Sequence, residues 1–212
     1  VAVGAAIGGT ASRITGGKFA NGALTGAFSQ ALNNERAEAA RLEARIDQVV
    51  AAVAADYGDV LEAGNIDLKA NITQARNMSP WEFAMRLSPG EDWDYKKMGA
   101  LRDSGIADAK IAEFGNLHYG IVAAASGYSL PVTLSAAGAV QNFMQQGGSL
   151  RELIMPYLAP LPRSMRAAAG HPAHPMLSRE GAIRWVESGR TFGDLPDDPR
   201  AIIRGWDLYH DR

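Results

Sequence analysis

"IADAKIAEFGNLHYGIVAAASG", residues 106–127, decides the fold of this chain. Its Ile, Leu, Val and Phe side chains recur at mostly helical spacing in an alanine-rich background, the pattern that lines one face of an α-helix. Residues 129–148, "SLPVTLSAAGAVQNFMQQGG", repeat the pattern. No segment alternates apolar and polar residues with a period of two, and no Asn-Gly pair joins two β-branched runs. The expectation is a mainly α protein, a single helical domain of about six to eight helices, with room for short strands near Trp93 or Phe192.

Helix starts elsewhere in the chain are legible. In residues 34–58, Leu42, Ile46, Val49, Val50, Val53 and Tyr57 line one face, with Asn34 as the expected N-cap and Gly58 as the expected stop. Ser79, Pro80 and Glu82 form a capping-box signature, because the hydroxyl and the carboxylate can each satisfy a backbone N–H that the first turn leaves unpaired. Ser149 and Glu152 repeat the box, and Asp198 is expected to cap the last helix with Pro199 opening it. The proline-rich residues 159–178 read as a surface loop.

Residues 1–34 differ from the rest. Gly4, Gly8, Gly9, Gly16, Gly17, Gly22 and Gly26 are scattered among Ala, Thr and Ser, and no acid precedes Glu35. Each glycine weakens a helix by about 1 kcal/mol against alanine, so this segment is expected to be a flexible linker, with residues 35–212 as the folded domain. The chain lacks an initiating Met, as a piece cut from something longer would.

Composition removes several classes. The chain has 212 residues, no cysteine and a net charge of −2, so thiolate metal sites and a Cys nucleophile are excluded and no overall basic surplus advertises nucleic-acid binding. No stretch reaches the roughly 18 to 20 uncharged apolar residues of a membrane span, so no stable membrane insertion is expected. Phosphate loop, HExxH, GxSxG and EF-hand patterns are all missing, against an NTPase, a zincin, an α/β-hydrolase and a calcium sensor. His171 and His174 have a spacing found in some metal sites, but each precedes a proline in a loop. No metal and no cofactor are expected.

Two strings carry candidate chemistry. In "GEDWDYKK", residues 90–97, Glu91, Asp92 and Asp94 stand beside Lys96 and Lys97, with Trp93 and Tyr95 between them. Partial burial raises a carboxyl pKa and a neighbouring lysine lowers it, and acid/base chemistry needs groups pushed apart in this way. In "EFGNLHYG", residues 113–120, Gly115 and Gly120 frame Asn116, His118 and Tyr119, expected to give backbone freedom around groups that donate, accept and shuttle protons. A charged loop is more commonly just solvated, and a single histidine more commonly structural. His210, near the end, is expected to be exposed.

These strings resemble those of a family. Trp93-Asp94-Tyr95-Lys96, Phe114-Gly115-Asn116-Leu117-His118-Tyr119-Gly120, Ala136-Ala137-Gly138-Ala139-Val140-Gln141 and the closing "FGDLPDDPRAIIRGWDLY" are similar to the hallmarks of the polymorphic toxin type 44 domain of bacteria. Where that family continues Tyr-Gly-Ala-Thr/Val-Gly, this chain has Ile121-Val122-Ala123, which puts the packing after the motif in question. Residues 8–35 resemble the segment that precedes the toxin tip in Rhs-type and haemagglutinin-type carriers. The resemblance implies a secreted antibacterial effector delivered into a target bacterial cell, released from a large carrier and neutralised in the producer by a cognate immunity protein. A nuclease is one activity it suggests.

Three functional readings follow. In a metal-independent ribonuclease, the preferred one, His118 is the general acid or base, Lys96 stabilises the phosphorane charge, and Asn116 and Tyr119 position the ribose phosphate. In a peptidoglycan hydrolase, Asp94 or Glu91 and a second acid, Asp197 or Asp198, flank a glycosidic bond while Trp93 and Tyr95 stack on sugar. The third is a membrane-active or interaction module without catalysis. The two strings are expected to converge, Asp94 and Lys96 approaching His118 and Asn116 within reach of one substrate.

Overall fold

The computed structural model describes residues 19–88, 90–145, 178–189 and 198–211. The chain divides into two compact units, residues 1–48 and 49–212. Among the described residues there are eight α-helices, one 3-10 turn and no strand, as the periodicity predicts. They are α1 (Phe19–Ala63), α2 (Leu68–Ala75), α3 (Pro80–Arg86), the 3-10 turn (Tyr95–Lys97), α4 (Gly99–Arg102), α5 (Asp108–Ala125), α6 (Leu130–Gln145), α7 (Arg179–Glu187) and α8 (Asp198–His210).

In the first unit the described element is the early part of α1, whose residues 32–41 are all exposed. The expected boundaries of this helix move outward at both ends. It starts at Phe19 rather than after Asn34, because Ala and Leu upstream carry the helix through a position where a cap would require extended backbone. It also passes Gly58. Tyr57 departs from helical geometry (φ −127°, ψ 23°), so the glycine step bends the helix without ending it. The stop comes at Asn65, which takes a left-handed φ of 48°. Around it, Ile66 N–H bonds to Leu61 O at 2.8 Å and Asn65 N–H to Glu62 O at 3.1 Å, the Schellman pattern that satisfies terminal carbonyls.

In the second unit, Val49, Val53, Tyr57 and Val60 carry the buried face of α1. The expected capping box of α3 forms: Ser79 N–H donates to Glu82 Oε2 at 2.8 Å, and Glu82 N–H donates to Ser79 Oγ at 3.3 Å. Residues 91–93 are bend and turn rather than strand, because Trp93 N–H folds back to Arg86 O and Asp94 N–H to Glu91 O. The other expected strand, near Phe192, and the expected Ser149–Glu152 box lie outside the described residues.

Among the described residues helices α5 and α8 form the most extensive helix pair. Gly120 and Gly205 make this possible. A Cβ on Gly120 would fall on the Ile202 carbonyl and 3.0 Å from Trp206 N, and one on Gly205 would fall on the Leu117 carbonyl. The two backbones therefore touch without side chains between them. Neither Gly115 nor Gly120 has a positive φ, and both sit inside α5, so the hinge-like freedom expected of them is replaced by helix and close approach. Leu130, Leu134, Ala182, Val186, Ile202 and Trp206 complete a core shared by α6, α7 and α8, and Arg179 locks α7 to α8 through paired bonds of 2.8 and 2.6 Å to Asp207.

Candidate active site

The two strings do converge, in two layers. The inner layer is a closed polar knot inside an aromatic box. His118 is 0% exposed and is ringed by Trp93 (centroids 5.3 Å apart), Tyr95 (4.9 Å, perpendicular) and Phe114 (6.1 Å). Its Nε2 lies 3.2 Å from Tyr95 Oη and 3.3 Å from Asn71 Nδ2, and Asn71 Nδ2 also donates to Tyr95 Oη at 2.9 Å. The assignment that satisfies most of these groups has the Tyr95 hydroxyl and the Asn71 amide donating toward Nε2, with the imidazole proton on Nδ1, an atom that is buried without a hydrogen-bond partner.

Burial alone pushes the His118 pKa down from 6.5 to about 3, and burial also raises that of Tyr95. Both groups are therefore neutral near pH 7. No atom of the imidazole reaches solvent in this arrangement, and its Nε2 holds Tyr95 and Asn71 where a proton-transfer role would require substrate.

A depressed histidine pKa ties stability to pH. The unfolded chain binds the proton with an ordinary affinity, so the stability contributed is complete above about pH 6.5 and is lost as pH falls toward 3, at about 1.4 kcal/mol per pH unit. Thermal unfolding followed from pH 7 to 4 is expected to show this slope, and His118→Gln is expected to flatten it. An equal slope in the variant would rule out burial of a neutral His118 as its source.

The outer layer is where charge meets solvent. Lys96, exposed, runs its stem over Gly115, whose hypothetical Cβ would lie 3.9 Å from Lys96 Cε. Its Nζ donates to Asn116 Oδ1 at 3.4 Å, and Asn116 Nδ2 donates to Asp198 Oδ1 in the first turn of α8. One carboxamide thus bridges an ammonium and a carboxylate. Among the described residues neither Lys96 nor Asp198 has a salt bridge. Pro199 stands in that first turn as expected, whereas Asp198, expected as the cap, is itself the first residue of the helix.

The remaining candidates stand elsewhere. Asp94 Oδ2 accepts from Gly90 N–H at 2.9 Å and lies 3.8 Å from Lys97 Nζ. Glu91 is exposed, and Asp92 pairs with Arg86. Tyr119 Oη donates to the Thr133 carbonyl at 3.0 Å. Trp93 and Tyr95, 4% and 2% exposed, are core residues without a face open to a sugar. Asp197, His171 and His174 lie outside the described residues. His210 is half-buried and stacked on Trp206 at 3.8 Å, with Nδ1 at 3.0 Å from the Trp206 carbonyl, rather than fully exposed. Asn71 was not legible beforehand: an asparagine on a short amphipathic helix carries no local signal.

Among the described residues no group of three or more His, Asp or Glu side chains is placed to hold a metal ion, and no helix is long and apolar enough to cross a membrane. The family model of bacterial toxin 44 (Ntox44) matches residues 60–211, which spans both layers of the site. No curated protein and no solved structure matches the chain.

Proposed function

Since the chain belongs to the bacterial toxin 44 family, it is a toxin, and we propose that it kills target bacteria by cleaving RNA at the Lys96–Asn116–Asp198 surface. The observation that carries this reading is one amide at the surface bridging an ammonium and a carboxylate that, among the described residues, have no salt bridge. Asp198 takes the proton from the ribose 2′-hydroxyl, and the 2′ oxygen attacks the adjacent phosphorus. Lys96 stabilises the negative charge that builds on the phosphorane oxygens. Asn116 holds both groups in register. The 5′ oxygen leaves with a proton from solvent, and the product is a 2′,3′-cyclic phosphate.

The wall-hydrolase alternative draws less support, because the two rings it needs as sugar platforms are buried and Asp94 is occupied by Gly90 and Lys97. In the ribonuclease reading residues 1–34 link the toxic domain, residues 35–212, to a large carrier protein. A cognate immunity protein protects the producer by covering the Lys96–Asp198 surface.

Residues 35–212 expressed in the bacterial cytoplasm are expected to stop growth and degrade RNA, whereas the same chain behind an export signal is expected to be harmless. The full purified chain is expected to cleave RNA in EDTA and to spare a 2′-deoxy substrate. Lysis seen only after export, with RNA intact, would replace this reading with the wall hydrolase.

A further inference from the structure

The geometry points to Asn71 as a positioning residue for Lys96, acting through Tyr95 and His118. The inference rests on the reading of Lys96 as the charge-stabilising group. Lys96 sits in the 3-10 turn Tyr95–Lys97, a segment held by few backbone bonds: Lys97 N–H to Asp94 O at 3.0 Å and Met98 N–H to Tyr95 O at 3.2 Å. A turn this short does not hold a lysine in place by itself. What anchors it is the side chain next door. Tyr95 inserts into the core, and its hydroxyl ends between Asn71 of α2 and His118 of α5.

His118 lies two positions beyond Asn116 on α5, so the residue that anchors the turn from within and the residue that receives Lys96 from without share one rigid helix. Asn71 supplies the knot with its amide donor, reaching Tyr95 Oη and His118 Nε2 together. Removing it leaves the Tyr95 hydroxyl without its donor and opens one side of the box, and the 3-10 turn loses its fixed depth. Displacement of Lys96 by about an ångström is sufficient to cost up to a hundredfold in rate, because the stabilising charge must sit where the phosphorane charge develops.

The test uses the full chain with Asn71→Ala and Tyr95→Phe, the second deleting only the hydroxyl so that the core keeps its ring. Both variants are expected to lower kcat for RNA cleavage about 10- to 100-fold with KM changed less than about twofold. In a Lys96→Ala background, Asn71→Ala is expected to cost less than about a further twofold, because its effect is already lost with the lysine. Multiplying losses, or a KM effect at constant kcat, would overturn the inference.

Hydrogen exchange at the Lys97 and Met98 amides is a readout that does not depend on the reaction. Asn71→Ala is expected to speed exchange there at least tenfold while the amides at the centre of α5 keep their protection. Unchanged exchange would overturn the inference. If Lys96→Ala cleaves RNA normally, the proposed active site is wrong while accelerated exchange still shows that Asn71 anchors the turn, so the two failures are distinguishable.

Discussion

Valine in place of Gly120 is expected to abolish the native fold. The Cβ alone would land on the Ile202 carbonyl and press on Trp206 N, and both obstacles are backbone of α8. Overpacking against side chains costs about 1–3 kcal/mol because rotamers yield. Backbone in a helix cannot yield without the whole helix moving. Relief requires α8 to withdraw from α5, which exposes Ile202 and Trp206 and draws Asp198 away from Asn116. With total stability of about 5–15 kcal/mol to draw on, the expected loss exceeds about 4 kcal/mol.

Gly205→Val is expected to do the same through the Leu117 carbonyl. Gly115→Ala provides the contrast: its new methyl meets only the Lys96 stem at 3.9 Å, and the gain in helix propensity is about 1 kcal/mol. Circular dichroism melts of the three variants decide the matter. A Gly120→Val protein melting within a few degrees of the parent would show that α5 and α8 do not meet backbone to backbone.

The second large effect is chemical. Asp198→Asn keeps the size of the side chain and an oxygen that can accept from Asn116, but removes the proton acceptor. RNA cleavage is expected to fall about 10²- to 10⁴-fold, with the melting temperature nearly unchanged. Lys96→Ala deletes an exposed side chain and is expected to cost about 10²- to 10³-fold, the usual scale for one group that stabilises transition-state charge. His171→Ala and His174→Ala are expected to leave killing intact. Growth arrest on induction, followed by RNA integrity, reads all four variants in one experiment. Full toxicity of both Asp198→Asn and Lys96→Ala would remove this surface from the mechanism.

The site also explains why one residue invites two opposite readings. A histidine flanked by glycines in a polar string looks like a proton shuttle, and the same histidine, 0% exposed among three rings, is neutral and bonded to Tyr95 and Asn71. Nothing between residues 113 and 120 reveals which side of α5 faces the core. That depends on where Trp93, Tyr95 and Phe114 pack, and two of those three lie on another segment.

What the sequence determined by itself is what acts over a few residues. The helical period of residues 106–127 and the Ser79–Glu82 box are both visible locally because their partners are three or four positions apart. The helical class of the protein follows from such patterns, and so does the family likeness. What only the tertiary structure decided is which distant groups meet. Lys96 and Asn116 are separated by 20 positions, Asn116 and Asp198 by 82, and Asn71 and His118 by 47. Gly120 reads as a flexible joint until Ile202 is known to lie against it. The physical reason is common to these cases. Local structure is set by bonds and side-chain contacts within a turn or two, whereas burial, close approach and charge pairing depend on how helices far apart in the chain pack together.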